Sequence, residues 1–299
     1  MIDRGVTEAF VCPSCGAPLT ATADGLECSA DDESFPKLGP FWVLQPAADL
    51  ALSRHRDAFL AALAETSEVS RSALARIEAA HRHHRAEPEV LRDDITGPED
   101  GIADVGRPTG PATDTLAALA AIADTHGPLA MLRERLGGPE GSLRRVAEIG
   151  PGAGRLTRLL APLAEELVLV DKVPRTLWRA RSVVTRAGHP APTLVVAEGD
   201  ALPLAPGAYD RVVAMNVIDL LDDPAGFLEC SLAALAPGGQ LLLSTPEPGL
   251  GAASATVLGE LVAALGGRVL EVVDGLPWLR HVGPRHQQVY LTQLLVAAR

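Results

Sequence analysis

VAEIGPGAGRLTRLL, Val146 to Leu160, decides the fold. An apolar run interrupted by Glu148 meets glycines at alternate positions, Gly150, Gly152 and Gly154, and a helical spacing of Leu156, Leu159, Leu160 and Leu163 follows. The order is strand, tight turn, helix. Glycine suits such a turn because the chain must visit positive φ, and because a Cβ would hold a ligand away from the main chain. The spacing G-x-G-x-G differs from the dinucleotide fingerprint G-x-G-x-x-G. Glu148 would repel a pyrophosphate at this place but suits a ligand carrying an ammonium group.

Reading outward, the segment LVLVD ends a second strand at Asp171, an acid placed to accept hydrogen bonds from two ribose hydroxyls. TLVVAEGDALPL sets Asp200 just past a third strand, YDRVVAMNVIDLL gives a fourth strand followed by Asn216 and Asp219, and LAPGGQLLLSTP supplies a fifth. Together these residues resemble the class I S-adenosylmethionine-dependent methyltransferases, over about Leu143 to Arg299. The resemblance implies an α/β, Rossmann-like sheet of seven strands, six parallel and one antiparallel. It also implies S-adenosylmethionine as cofactor, with Glu148, Gly150, Gly152 and Gly154 around its methionine moiety, Asp171 at the ribose and Asp200 at the adenine amine. Lys172, Ala201 and Asn216 complete the expected cofactor set. RVLEVVD and QQVYLTQLLVAAR, without a helix between them, fit the antiparallel final strand.

Before this domain the chain reads FVCPSCGAPLTATADGLECSADDESFPKLGPFWVLQP from Phe10. Cys12 and Cys15 form a C-x-x-C knuckle, and Cys28 follows. Tetrahedral zinc takes four ligands, so a second knuckle would use Asp31 or Asp32, of which Asp32 is the expected ligand. The stretch looks like the zinc-ribbon or Trm112-like domain found on some methyltransferases, including enzymes that methylate ribosomal RNA. A metal-free ribbon held by its hairpins is the alternative. The expected organisation is a ribbon over 1–46, a helical lid and linker over 47–142 with a flexible loop near 86–112, and the methyltransferase domain over 143–299.

Helices are expected from about Ala47 to Ala64, Glu68 to Arg85, and Asp114 to Leu136, the last broken near His126-Gly127-Pro128. The cluster His81 to Arg85 reads as a solvated helix end, with a metal or anion site as the alternative. Cys230, at helical spacing in FLECSLAAL, reads as a packed thiol.

The net charge of −12 speaks against an extended nucleic-acid surface. No run of 18 or more uninterrupted apolar residues predicts a membrane span, and the first residues lack a signal-peptide core, so a cytoplasmic protein is expected. The expected substrate is a small molecule or peptide methylated on an amine or hydroxyl in a biosynthetic tailoring pathway. Asp219 and His281 are the candidate catalytic residues, with Glu247 another acid at the rim. A ribosomal RNA base methyltransferase and a non-catalytic partner protein are the competing readings.

Overall fold

The computed structural model describes residues 4–66, 70–87, 111–136, 142–283 and 286–299. Its centre is a parallel sheet: β5 (Leu143–Ile149), β6 (Ala164–Asp171), β7 (Thr193–Val196), β8 (Tyr209–Met215) and β9 (Leu235–Thr245). β5 lies between β6 and β8, so the order of connection reverses on either side of it. All five strands bury apolar side chains on both faces, which is why they read as near-continuous Val and Leu runs rather than as alternation. β10 (Arg268–Gly283) and β11 (His286–Ala298) form a long hairpin, and β11 inserts antiparallel against β9.

The sheet is larger than the seven strands expected. β1 (Thr20–Ala21), β2 (Gly25–Cys28), β3 (Glu33–Leu38) and β4 (Phe41–Val43) extend it to eleven, in the order β1-β2-β3-β4-β7-β6-β5-β8-β9-β11-β10. The join is parallel, Phe41 to Val43 pairing with Leu194 to Val196. The N-terminal ribbon is therefore continuous with the main sheet and its core, where the sequence suggested a separate small domain. FWV provides the reason: all three side chains are buried, and a short fully apolar strand is stable only in the interior of a sheet.

Two groups of helices flank the sheet. α1 (Arg4–Ala9) leads into the ribbon; α2 (Ala48–Arg54) and α3 (Arg56–Ala64) break at His55, and α4 (Arg71–His84) is capped by Ser70, whose hydroxyl accepts from the Ala73 N–H. α3 packs on α8 (Pro174–Arg186), which follows β6. α5 (Pro111–His126) and α6 (Pro128–Arg135) part at Gly127-Pro128 as expected and pack on the β10 hairpin. The helices expected as a lid thus fall into two groups, one packed on α8 and the other on the β10 hairpin. Most of the expected flexible loop lies outside the described residues.

Asp114–Arg135 is long and apolar enough, by length and composition alone, to cross a membrane; it is two helices here, and Arg135 is paired with Glu271 of β10. The helix expected after the glycine loop is one turn, α7 (Thr157–Leu160), since Pro162 supplies no N–H to continue it. α9 (Pro224–Ala234) and α10 (Val257–Ala264) complete the fold. Cys230 on α9 is half-buried against the core, and burial pushes its thiol upward.

Candidate functional site

The carboxyl ends of β5, β6, β7 and β8 meet at the point where strand order reverses, the usual crevice for ligands of open α/β sheets. Gly150, Gly152 and Gly154 all have positive φ, at 67, 55 and 82°. A Cβ on Gly150 would lie 2.5 Å from Val217 Cγ2, and one on Gly154 would lie 3.2 Å from the Ala180 backbone in α8. Gly150 and Gly154 are thus required twice, by backbone conformation and by the closeness of neighbouring elements, and Gly152 by conformation.

Glu148 is buried, and its Oε2 has no hydrogen-bond partner among the described residues. Burial raises its carboxyl to about 8, opposed by nearby Thr157 and reinforced by Asp171. Asp171 ends β6; its Oδ1 accepts from the Val173 N–H at 2.9 Å, bending the chain into α8. Desolvation raises Asp171 to about 7, against the pull of the Val173 amide and Lys172. Lys172 Nζ stands 4.0 Å from Glu198 Oε2 across the mouth.

Asp200 and Ala201 lie in a 3-10 turn, Gly199–Ala201, beyond β7. One oxygen of Asp200 accepts from the Asp223 N–H at 3.0 Å. A Cβ on Gly199 would come 2.6 Å from Leu221 Cδ2, so this turn presses on the segment after β8. Asn216 takes a left-handed conformation (φ 55), with its N–H on Ser244 O at 2.6 Å and its Oδ1 accepting from Ser244 Oγ at 3.1 Å. Asp219, one turn further, accepts from Thr245 Oγ1 at 2.9 Å, and the same oxygen of Thr245 accepts from the Glu247 N–H at 3.0 Å. The structure therefore gathers Glu148, the three glycines, Asp171, Lys172, Asp200, Ala201, Asn216 and Asp219 at one end of the sheet. His281 sits in β10 with its backbone opposite Gln287, and its side chain lies outside the described residues. A separate cavity of about 170 Å³, between Phe10, Glu166 and Pro192, lies at the opposite, amino end of the strands.

Sequence reasoning missed Arg155. Directly after Gly154, its guanidinium lies 4.9 Å over the Trp278 ring, with Nη1 3.4 Å from Leu279 O and Nη2 3.4 Å from Asp124 Oδ1 on α5. It ties the glycine loop to both α5 and the β10 hairpin. On the other rim Arg175, at the start of α8, pairs with Glu65 at the end of α3 at 2.9 Å. Both partners are distant in sequence, and no spacing signals either pair.

In the ribbon, one ligand atom from each of Cys12, Cys15, Cys28 and Asp31 lies within 4.8 Å of the others, a fit to a tetrahedral zinc with mixed sulfur and oxygen donors. Cys12 Sγ donates to Asp31 Oδ2 at 3.0 Å, and Cys15 and Cys28 sulfurs are 3.6 Å apart. The expected fourth ligand, Asp32, is corrected to Asp31. Asp32 takes the left-handed conformation (φ 58) that closes the turn before β3, whereas Asp31 also accepts from the Glu33 N–H and is turned to the sulfurs. Burial and the contact with Asp31 push the Cys12 thiol up to about 12; hydrogen bonds from Cys28 and Cys12 hold Asp31 at about 2.

Strand order, glycine loop and strand-end acids define an open, mostly parallel α/β domain with its ligand crevice at the carboxyl ends of the strands. Residues 147–243 match the family model described as a methyltransferase domain. A ubiquinone biosynthesis O-methyltransferase of Xylella fastidiosa is 29% identical over 147 residues, 46% of this chain and 60% of that protein. Its counterpart in Methylocella silvestris is 31% identical over 105 residues, 34% of this chain and 39% of that protein. The chain thus spans less than two thirds of the curated relatives it matches. Among solved structures, the N-methyltransferase NodS of Bradyrhizobium japonicum in complex with S-adenosyl-L-homocysteine is 18% identical, over 60% of this chain and 96% of that chain, at a TM-score of 0.43. An S-adenosylmethionine-dependent methyltransferase of Mesorhizobium loti is 16% identical over 60% of this chain and 100% of that chain, with a TM-score of 0.44.

Proposed function

We propose that this chain is an S-adenosylmethionine-dependent methyltransferase acting on a hydroxyl, or an amine, of a small molecule or peptide in a tailoring pathway. The observation that carries the reading is the buried Glu148 carboxyl, with Oε2 unpaired among the described residues, at the foot of the loop whose three glycines take positive φ. A buried carboxylate is costly without a cation, and the ammonium group of S-adenosylmethionine supplies one. Asp171, with one oxygen held by the Val173 amide, would receive the ribose hydroxyls, and Asp200, with one oxygen held by Asp223, would accept from the adenine amine.

When bound, S-adenosylmethionine supplies a methyl group already activated by its sulfonium, so the protein's tasks are alignment and exclusion of water. Asp219, fixed by Thr245, would orient the acceptor or take its proton. The hydroxyl is favoured over the amine by the similarity to ubiquinone biosynthesis O-methyltransferases. Acids at the mouth, Glu198, Asp200 and Asp219, oppose the ribosomal RNA reading, because phosphates would meet like charge.

Incubation with methyl-labelled S-adenosylmethionine and a panel of phenols, alcohols, amines and peptides tests the reading. Label transferred to a hydroxyl acceptor supports it. Binding of the cofactor with transfer only to ribosomal RNA would replace the acceptor class, and no binding at all would favour a non-catalytic partner.

A further inference from the structure

The cysteine cluster is wired to the adenine side of the cofactor mouth. The chain from Val196 to Ala205, which carries Asp200 and Ala201, is bracketed at both ends by the N-terminal ribbon. At its entry, β4 pairs with β7 through Val43 and Val196, and the Leu44 N–H donates to Val196 O at 2.9 Å. At its exit, the Val11 N–H donates to Pro203 O at 3.0 Å, Phe10 bridges Leu204, and the Ala205 N–H donates to Ala9 O at 2.9 Å.

Each bracket leads directly into one arm of the cluster. Val11 is followed by Cys12 and Cys15; Cys28 and Asp31 close the β2–β3 turn, and β3 continues into β4. Across the cluster the arms are joined by the bond from Cys12 Sγ to Asp31 and the contact between Cys15 and Cys28 sulfurs. A thiophilic divalent cation such as zinc would replace these with coordinate bonds across the same four atoms.

We infer that the Cys12, Cys15, Cys28 and Asp31 site is a metal-dependent brace for the loop 197–205, so that metal occupancy sets the affinity for the cofactor's adenosine end. This deepens the methyltransferase reading and rests on it. The coupling is reciprocal: bound adenosine would tighten metal retention by the same factor that metal tightens adenosine.

The test uses the full chain, loaded with zinc or stripped by a chelator, and reads S-adenosylhomocysteine binding by calorimetry and amide hydrogen exchange without ligand. Stripping is expected to weaken binding by about tenfold, within the range usual for coupled sites, and to speed exchange of the Val11, Leu44 and Ala205 amides. Asp31→Ala, milder than a cysteine replacement, should lose metal and reproduce both effects. Val11→Pro removes the donor to Pro203 but no ligand atom; it should keep one zinc per chain, bind S-adenosylhomocysteine more weakly, and respond less to chelator. Equal affinity and equal exchange in loaded and stripped protein would overturn the inference, as would failure of the protein to hold zinc. Failure of the zinc-loaded protein to bind S-adenosylhomocysteine, with amide exchange still responding to metal, would instead overturn the cofactor reading and leave the brace.

Discussion

Gly150 and Val217 stand so close that a single added methyl group on the glycine would reach within 2.5 Å of Val217 Cγ2. The contact joins the glycine loop after β5 to the segment after β8, the two sides of the mouth. Gly150→Ala must therefore shift Val217 and also hold an L residue at φ 67°. We expect a loss of roughly 1–3 kcal/mol of stability, measured by urea unfolding, and loss of S-adenosylhomocysteine binding. Val217→Ala in the same chain should relieve the clash but leave the φ penalty, restoring only part of the stability.

The raised carboxyls of Glu148, at about 8, and Asp171, at about 7, fix the direction of a pH effect. Both exceed the values of an unfolded chain, so the folded protein holds protons that the unfolded one has released. Their contribution to stability is fully present below about pH 4 and is lost as pH rises through 7 and 8. Glu148→Gln should flatten the loss between pH 6 and 8 in melting experiments on the ligand-free protein. Binding of an ammonium-bearing ligand favours ionised Glu148, so its affinity should rise with pH by up to about tenfold per unit until the carboxyl has ionised, with proton release visible as a dependence of calorimetric heat on buffer.

Arg155 connects the glycine loop to α5 and the β10 hairpin, and its loss should be local. Arg155→Ala removes the cation over Trp278 and the ion pair with Asp124. We expect about 1 kcal/mol of destabilisation, a change in Trp278 fluorescence, and faster amide exchange in α5 and the β10 hairpin with α3 and α8 unaffected. Uniform acceleration over the whole chain would show that Arg155 supports the fold rather than this rim.

Asp219→Asn should separate binding from turnover. If Asp219 handles the acceptor, cofactor affinity stays the same while kcat falls by about 10² or more, most sharply for acceptors of high pKa. An equal fall in cofactor affinity would assign Asp219 to the cofactor instead.

How far the sequence can be read differs between the sheet and its edges. VAEIGPGAGRLTRLL and the acids at 171 and 200 were legible because strand, turn and strand-end chemistry are all local. The continuity of the ribbon with the sheet was not, because FWV reads equally as the end of a small domain or as an interior strand, and only its partner β7, some 150 residues on, decides. The choice of Asp31 over Asp32 depended on which residue adopts positive φ, which adjacent identical residues conceal. The one-turn length of α7 was signalled by Pro162, against a leucine spacing that suggested a longer helix.

The most direct test of the central claim is calorimetric titration of the zinc-loaded chain with S-adenosylmethionine and S-adenosylhomocysteine, repeated on Glu148→Gln and Asp171→Ala. The account predicts one site per chain for both ligands, lost or strongly weakened in each variant while the fold is retained. Absence of binding in the unaltered chain, or undiminished binding in both variants, would contradict it.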